Sequence, residues 1–348
     1  MIRVGVIGCG YWGPNLVRNF YKTPHCEVVG VSDLRPERLQ YIQSLYPKVQ
    51  ATTDALELIR NPQIDAIVVV TPVATHYELA RTALLEGKHV LVTKPMTRTT
   101  EEARQLIELA EQKGLVLMVD HTFIYSGPVR KIKELIDQGE LGQIYYYDSV
   151  RVNLGLFQND VNVLWDLAPH DFSILSYLVG KEPLLVSAIG ARPVNCKHYE
   201  HESVAYVSVR FDDGTLAHVH VSWLSPVKIR RTLIGGSRKM VVYDHLDPDN
   251  QIKVYDKGVE IRSVEEQYQA LVQYRTGDMW APKVDQREAL EVECRHFVDC
   301  CLGKAKPLTD GYAGLQVVEL LEAAQRSMER GGEVISLAGT VSAHRAGR

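Results

Sequence analysis

The chain has 348 residues, 45% hydrophobic and 24% charged, which is typical of a globular protein and long enough to favour two domains. Its formal net charge of −4 excludes the broad basic surface that binds nucleic acid, so small molecules are the expected partners. No apolar run approaches the roughly 20 residues that span a bilayer, and no charged and apolar leader precedes the first predicted strand, so a cytoplasmic location without membrane contact is expected.

The chain opens on a predicted buried strand that runs into a glycine-rich turn, Gly8-x-Gly10-x-x-Gly13. Gly8 permits the tight turn, Gly10 lets the backbone approach a pyrophosphate, and Gly13 lets the next helix pack against the strand. The helix N-terminus then presents unpaired N–H groups and a partial positive charge to the phosphates. The pattern predicts a dinucleotide-binding site.

A second predicted strand, residues 26–33, ends on Asp33, which lies 20 positions after Gly13. A carboxylate there accepts hydrogen bonds from the adenosine ribose and repels a 2′-phosphate, which favours NAD over NADP. Arg35 and Arg38 favour the reverse, since a guanidinium near Asp33 can bind a phosphate. The alternative for Asp33 is an ordinary turn residue at a strand end.

From residue 1 to about residue 120, strands rich in β-branched residues alternate with helical patterns. Residues 64–71, 89–93 and 115–119 lack polar alternation, as expected for a parallel sheet that is covered on both faces. Residues 78–87 and 100–114 have apolar residues at helical spacing and end on glycine. The alternation predicts an α/β Rossmann domain, a doubly wound parallel sheet, over residues 1–120.

Beyond residue 120, a predicted helix at 128–139 is followed by strands at 144–151, 203–211, 215–223 and 239–243, with a hairpin signal at Asp212-Asp-Gly214. The pattern predicts an α+β C-terminal domain over residues 121–337 with a large, open, mainly antiparallel sheet. Helices cover one face of such a sheet, and self-association through the other predicts a homodimer or homotetramer. A helix at 312–330 is expected to pack back on the first domain, and residues 338–348 form a frayed tail.

The cysteines show no C-x-x-C spacing, so reduced and mostly buried thiols are expected. The six are Cys9, Cys26, Cys196, Cys294, Cys300 and Cys301. Cys196, His198 and His201 form one mixed cluster that suggests metal ligands. They lack the paired spacing of a zinc site, so no metal is expected.

Lys94, in Thr93-Lys94-Pro95, follows the fifth apolar strand. The carboxyl ends of parallel strands face the ligand crevice, so Lys94 is expected to point toward the cofactor. A fixed cation there can stabilise a developing alkoxide. The alternative is a solvated lysine at a strand end.

A second motif, Asp166-Leu-Ala-Pro-His170, begins an apolar helical stretch that runs to Gly180. Asp166 is expected at the N-cap, with Pro169 in the first turn. His170 is one turn away, so the carboxylate can hold the imidazole in one tautomer while His170 moves a proton. A capping aspartate beside a half-buried structural histidine is the alternative. Together the motifs predict hydride transfer from a secondary alcohol, with His170 taking the hydroxyl proton and Lys94 stabilising the oxyanion.

Over nearly the whole chain these motifs resemble the glucose-fructose oxidoreductase, inositol dehydrogenase and rhizopine-catabolism (Gfo/Idh/MocA) family. The resemblance rests on the opening fingerprint, Thr71-Pro-Val-Ala-Thr-His76, Lys94-Pro95 and Asp166-x-x-x-His170. It implies that Lys94, Asp166 and His170 are catalytic. Thr93 stands where the family usually has glutamate, so the family's carboxylate contact to the nicotinamide-side ribose is in question here.

The resemblance also extends the predicted cofactor site. Thr71, Pro72 and His76 match residues that line the cofactor in relatives, and the turn is similar to the aromatic-containing openings of the family. The predicted cofactor-binding residues are Gly8, Gly10, Tyr11, Trp12, Gly13, Asp33, Leu34, Thr71, Pro72, His76, Thr93 and Lys94.

Within the family, residues 10–20 and 164–171 look most like members that oxidise nucleotide-linked sugars, with C3 of a UDP- or dTDP-sugar favoured. A diphosphate requires cations, and Lys228, Arg230 and Arg231 on one predicted strand, with Arg151 and Asn153 on another, are candidates. The alternation of strand side chains allows some of them to face solvent instead. The predicted substrate-binding residues are Lys94, Tyr125, Arg151, Asn153, Asp166, His170 and Arg230.

Three other functions are compatible with these residues. A free polyol or sugar such as an inositol can be the substrate, since the same catalytic trio serves both. A non-catalytic NAD-binding regulator is an alternative from another class, disfavoured because the trio is retained. Another dehydrogenase superfamily with the same first domain is disfavoured by the setting of Asp166 and His170.

Overall fold

A computed structural model describes residues 1–155, 157–158, 160–194, 201–260 and 273–337, with only the backbone at 259–260 and 273–274. The chain divides into two compact units. Unit 1 holds Met1–Ser126 and Arg287–Glu319, and unit 2 holds Gly127–Gln286 and Leu320–Arg348. The sequence predicts a single boundary near residue 120. In the structure, residues 287–319 also belong to unit 1. The predicted domain limits stay a prediction. In the described part of the chain, no helix has the length and apolarity needed to cross a membrane.

Unit 1 is built on a parallel six-stranded sheet with the strand order β3-β2-β1-β4-β5-β6. The strands are β1 Ile2–Ile7, β2 Cys26–Ser32, β3 Gln50–Thr52, β4 Ala66–Val69, β5 His89–Thr93 and β6 Leu117–Asp120. The helices are α1 Gly13–Lys22, α2 Pro36–Leu45, α3 Ala55–Arg60, α4 His76–Leu85, α5 Thr100–Lys113 and α8 Ala289–Cys301, with the first part of α9 Gly311–Glu329. The strand order reverses at β1, and ligands bind beside such a point at the carboxyl ends of the strands.

Local signals in the sequence explain where the helices of unit 1 begin and end. The Thr99 side chain accepts from the N–H of Glu102, and Glu102 reaches back to the Thr99 N–H, a reciprocal cap that starts α5. Gly114 ends α5 with φ 63°, a left-handed conformation that favours glycine. In the same unit, Leu315 and Val318 at the start of α9 join the buried core of the parallel sheet.

Unit 2 contains a mixed nine-stranded sheet with the order β16-β13-β12-β11-β7-β10-β9-β8-β17. Its strands are β7 Ile144–Leu154, β8 Pro183–Ala191, β9 Val204–Phe211, β10 Leu216–Ser222, β11 Leu224–Gly236, β12 Met240–Asp244, β13 Ile252–Tyr255, β16 Met279–Trp280 and β17 Ile335–Ser336. The described unit also contains a small sheet, β14 Gly258–Glu260 with β15 Gln273–Arg275, and helices α6 Gly127–Asp137 and α7 Val163–Val179. The strand pairs are antiparallel except β7 with β10.

The predicted fold class is confirmed by these two sheets. The predicted hairpin is also confirmed, since β9 and β10 pair in antiparallel register and Gly214 between them has φ 88°. Helix α7 packs on one face of the large sheet, against β7, β9 and β10. The other face carries Ile189, Tyr206 and Leu216, which are 63%, 46% and 52% exposed.

The described cysteines are free thiols, and Cys9, Cys294 and Cys300 among them are buried. Cys196 and His198 lie outside the described residues, as does the predicted tail 338–348. Among the residues that the structure does describe, no group of three His, Cys, Asp or Glu side chains is arranged to hold a metal ion.

Candidate active site

The glycine-rich turn in unit 1 leaves space for a phosphate at one of its three glycines. Gly8 has φ 102°, and a Cβ there would collide with the carbonyl of Val70. A Cβ at Gly13 would collide with the carbonyl of Gly8, so this glycine lets α1 approach the strand. A Cβ at Gly10 would meet only Arg35 Nη2, at 3.7 Å. The open space is therefore on the Gly10 side of the turn, as a bound pyrophosphate requires.

Asp33, directly after β2, is hydrogen-bonded to the same turn. Its Oδ2 accepts from the N–H of Cys9 at 2.7 Å, and its Oδ1 accepts from the N–H of Arg35 at 2.9 Å. Burial by itself would raise the pKa of Asp33, but the N–H groups of Arg35 and Cys9 and the Arg35 guanidinium together lower it. The ionised carboxylate next to the turn suits a ribose with free hydroxyls, so the residues present fit NAD.

Two predicted cofactor residues at this end of unit 1 are almost fully exposed. Tyr11 in the turn is 91% exposed, and Leu34, directly after Asp33, is 87% exposed. Trp12 differs from them, because its indole N–H donates to Asp120 Oδ2 at 2.8 Å. It therefore belongs to a hydrogen-bond network at the end of β6.

His76 is buried next to the crevice, and its predicted contact to the cofactor stays a prediction. The side chain is 1% exposed, with Nε2 2.7 Å from the carbonyl oxygen of Thr71 and Nδ1 2.9 Å from that of Pro95. Burial lowers its pKa. The imidazole joins the segments that follow β4 and β5, and so positions Thr71, Pro72 and the neighbouring Lys94.

Thr93, which replaces the family's glutamate, points inward. Its hydroxyl donates to the carbonyl of Val69 at 3.2 Å, and its predicted contact to the cofactor stays a prediction. Lys94 next to it is half-buried and directly follows β5. Its charge reaches His121, directly after β6, whose pKa is lowered to about 3 by burial first and Lys94 second. Neither ring nitrogen of His121 has a hydrogen-bond partner among the described residues.

In unit 2, the prediction that Asp166 caps α7 is wrong. Asn162 is the N-cap, and its side chain accepts from the N–H of Trp165 at 3.1 Å. Asp166 therefore lies inside the first turn, and Pro169 lies inside the helix rather than in that turn. Asn and Asp are comparable N-caps, so spacing to the apolar run could not choose between two candidates four residues apart.

Asp166 and His170 do share one helix, one turn apart, as predicted. Trp223, which is 1% exposed, donates its indole N–H to Asp166 Oδ2 at 3.1 Å. This bond orients the carboxylate. Directly after His170, the buried Asp171 accepts from Arg151 Nε at 2.6 Å and from the Ser149 hydroxyl at 2.5 Å. The ion pair anchors the helix to β7 at the level of His170.

Arg151 is therefore a buried ion-pair partner, and its predicted contact to substrate stays a prediction. Its cross-strand neighbour in β11 is Arg230, so the two side chains lie on one face of the sheet. His245, which directly follows β12, lies opposite Arg230. Burial and then Arg230, Arg151 and Lys228 lower the pKa of His245 to about 4. We call Arg230, Lys228 and Arg151 the cationic row.

The structure places the remaining predicted substrate-binding residues in different surroundings. Arg231, next to Arg230, alternates to the opposite face and pairs with Asp244 at 2.7 Å. Asn153 is half-buried on the helix side of β7, with the same alternation as Arg151. Tyr125 is 2% exposed in unit 1 with its hydroxyl 3.0 Å from that of Thr309, and its predicted substrate contact stays a prediction.

Several polar residues were missed by sequence reasoning. Asp171 adjoins the predicted motif, but its charge does not reveal whether it faces solvent or an arginine. Asp120 and Glu293 had one available signal, since a carboxylate at a strand end and a glutamate among apolar helix residues are both unusual when buried. Trp223 had none, because its partner is distant in sequence.

Comparisons with known proteins agree with this fold. The family profile described as an oxidoreductase family with an NAD-binding Rossmann fold, Gfo/Idh/MocA, matches residues 2–121, and the profile of its C-terminal alpha/beta domain matches residues 133–337. The UDP-N-acetylglucosamine 3-dehydrogenase of Acidithiobacillus ferrooxidans is 28% identical over 91% of this chain and 94% of its own. Its solved structure has a TM-score of 0.79 at 25% identity, covering 94% of this chain and 98% of that one.

A second relative has a different named substrate. The scyllo-inositol 2-dehydrogenase (NAD(+)) of Bacillus subtilis is also 28% identical, over 67% of this chain and 71% of its own. Both relatives are dehydrogenases of sugar or polyol hydroxyls by their names. With both of its domains matched, the chain belongs to the Gfo/Idh/MocA family of NAD-dependent sugar and polyol oxidoreductases.

Proposed function

We propose that this oxidoreductase transfers a hydride between NAD and a secondary hydroxyl or ketone on the ring of a nucleotide-linked sugar, with C3 favoured. The main support for this substrate class is the cationic row. Arg230 lies beside Arg151, and Arg151 forms an ion pair with Asp171, the residue that follows His170. Guanidinium groups near the catalytic helix suit a substrate with a diphosphate. The similarity to the UDP-N-acetylglucosamine 3-dehydrogenase over 91% of the chain supports the same substrate class.

The catalytic roles in this proposal follow from the chemistry of three side chains. His170 takes the proton of the substrate hydroxyl, and the Lys94 ammonium stabilises the alkoxide that develops. Asp166, oriented by Trp223, holds the imidazole or a substrate hydroxyl in place. NAD supplies the hydride acceptor when it is bound.

The first experiment mixes the purified protein and NAD with UDP- and dTDP-linked sugars, uronates and free inositols, and follows nicotinamide absorbance. The proposal is supported if a nucleotide sugar reduces NAD with the wild-type protein but not with His170→Ala or Lys94→Ala. Arg230→Ala is expected to raise KM for the nucleotide sugar about tenfold, as loss of one charge-assisted hydrogen bond predicts. Arg231→Ala is the matched control, since it removes an arginine from the opposite face. Turnover of inositols alone would contradict the nucleotide-sugar assignment.

A free polyol is the second candidate, favoured by the inositol dehydrogenase at the same 28% identity. The two candidates differ in their need for the cationic row, because an uncharged inositol has no group that requires Arg230. An Arg230→Ala variant that keeps its KM for a turned-over inositol identifies this alternative.

We further propose that the chain self-associates through the open face of its large sheet, as a homodimer or homotetramer. Ile189, Tyr206 and Leu216 place exposed apolar surface on adjacent strands of that face. Light scattering tests this by measuring the molar mass in solution. Leu216→Arg should yield monomers, whereas Leu246→Arg, at a 40% exposed site elsewhere, should leave the oligomer intact. A wild-type monomer at all concentrations would contradict the proposal. Cytoplasmic location stays a prediction.

A further inference from the structure

The indole of Trp12 connects two separate parts of the cofactor-binding edge in unit 1. Trp12 lies in the glycine-rich turn after β1, and Asp120, which accepts its N–H at 2.8 Å, is the last residue of β6. In the sheet, β4 and β5 lie between those strands, so β1 and β6 are about 14 Å apart. The turn and the indole therefore reach across the ends of the strands that carry Thr71 and Lys94.

Asp120 is held firmly as the acceptor of this bond. Its side chain is 3% exposed, and its second oxygen accepts from the N–H of Thr122 at 3.2 Å and from the Thr122 hydroxyl at 2.5 Å. A buried carboxylate with both oxygens hydrogen-bonded has one stable orientation. The indole that donates to it is fixed in turn.

Glu293 on α8 supports Asp120 from the protein interior. It is fully buried, and burial and then the Asp120 carboxylate raise its pKa well above the ordinary value. Two adjacent buried carboxyl groups cannot both ionise at low cost, which favours the neutral form of Glu293 with its O–H donor. A neutral Glu293 can donate to Asp120, whereas an ionised one would repel it.

Helix α8 also braces the other end of the turn. Glu288, just before α8, accepts from Arg18 Nη1 at 2.9 Å, and Phe297 packs edge-on against Phe20 with ring centroids 6.0 Å apart. Arg18 and Phe20 belong to α1, the helix that starts at Gly13. One helix thus contacts α1 directly and places Glu293 beside Asp120, the acceptor of the Trp12 N–H.

We propose that Asp120 and Glu293 are positioning residues for NAD, which act through Trp12 to hold the glycine-rich turn in its binding conformation. A turn with three glycines has many accessible conformations, and ordering it on binding would cost affinity. A turn that is already held avoids this cost. The proposal concerns cofactor binding only and does not depend on which sugar is the substrate.

The test measures NAD affinity by calorimetry in Trp12→Phe, Glu293→Leu and Glu293→Gln. Trp12→Phe keeps an aromatic ring but removes the hydrogen-bond donor, and we expect the affinity for NAD to fall about tenfold. Glu293→Leu should lower the affinity for NAD to a similar extent. Glu293→Gln keeps a neutral hydrogen-bond donor and should bind NAD with the affinity of the wild type. Combining Trp12→Phe with Glu293→Leu should add little to either alone, because both break the same connection.

Hydrogen exchange of the cofactor-free protein gives a readout besides affinity. The amides of residues 8–13 should exchange faster in Trp12→Phe than in the wild type. Arg104→Met is the matched control, since it removes a partly buried ion pair with Glu319 at 2.7 Å in the same unit and should lower Tm without changing NAD affinity. If Trp12→Phe lowers Tm but leaves NAD affinity and exchange at residues 8–13 unchanged, the connection only stabilises the fold and the proposal is overturned. That outcome is measurable even if Glu293→Leu fails to fold.

Discussion

Arg151 on β7 and Asp171 on α7 form a buried ion pair, with Nε 2.6 Å from Oδ2 and side chains that are 6% and 2% exposed. Asp171 directly follows His170, so the pair fixes the catalytic helix against the sheet at the residue proposed to move the proton. Its contribution is best seen when one partner is removed, because the other charge then stays buried without compensation.

Asp171→Asn is therefore expected to lower the free energy of unfolding by about 3 kcal/mol, measured by urea denaturation. The matched control is Asp244→Asn, whose partner Arg231 is 54% exposed. An exposed pair of this kind should contribute less than about 1 kcal/mol. Equal effects of the two substitutions would contradict the assignment of Arg151 and Asp171 as a buried structural pair.

The ion pair of Asp33 and Arg35 predicts a change of cofactor preference. Asp33→Ser removes the carboxylate that repels a 2′-phosphate and releases Arg35, which lies 3.4 Å from it. The ratio of NADP to NAD affinity should rise by about tenfold, measured by calorimetry with both dinucleotides. Adding Arg35→Ala should abolish that gain. A gain that survives without Arg35 would show that another cation binds the phosphate.

Glu293 predicts a pH-dependent stability with a defined sign. Its pKa in the folded chain lies above the ordinary value of 4.5, so its contribution is complete below that value and is lost as pH rises toward the folded pKa. Glutamine does not titrate, so the stability of Glu293→Gln relative to wild type should increase as the pH rises above the ordinary value of 4.5. Urea denaturation at several pH values measures this difference.

Glu288→Gln is the control for that pH series. The hydrogen bond from Arg18 lowers the pKa of Glu288, so its contribution is complete above the ordinary value and is lost only as pH falls. Its difference from wild type should be flat over the same range. A flat profile for Glu293→Gln as well would mean that Glu293 is ionised in the folded protein.

His245 reports on occupation of the cationic row. Arg230, Arg151 and Lys228 help burial to hold its pKa at about 4. A bound diphosphate offsets those positive charges, so UDP should raise this pKa, measured by NMR titration of the histidine ring. His89 in unit 1, whose pKa is lowered mainly by burial, should not respond. An unchanged His245 pKa at saturating UDP would place the diphosphate elsewhere.

Features that depend on neighbours in the chain were predictable. The three glycines, Asp33 and the position of Lys94 after a buried strand follow from local conformational demands, and so do the C-caps at Gly114 and Gly180. A local signal misleads where two residues are equally suitable for the same position. Asn162 and Asp166 cap a helix about equally well, and only the packing of the folded helix decides between them.

The sequence by itself determined the fold class, the dinucleotide turn and the family, because repeated hydrophobic periods and close-range motifs carry that information. Only the tertiary structure decided that Arg230 rather than Arg231 joins the cationic row, since sheet register sets the face of each side chain. It also decided that Arg151 meets Asp171, that Tyr125 lies in the interior, and that Asp120 is flanked by Trp12 and Glu293. These partners are far apart in the chain, and burial and charge become specific only when folding brings them together.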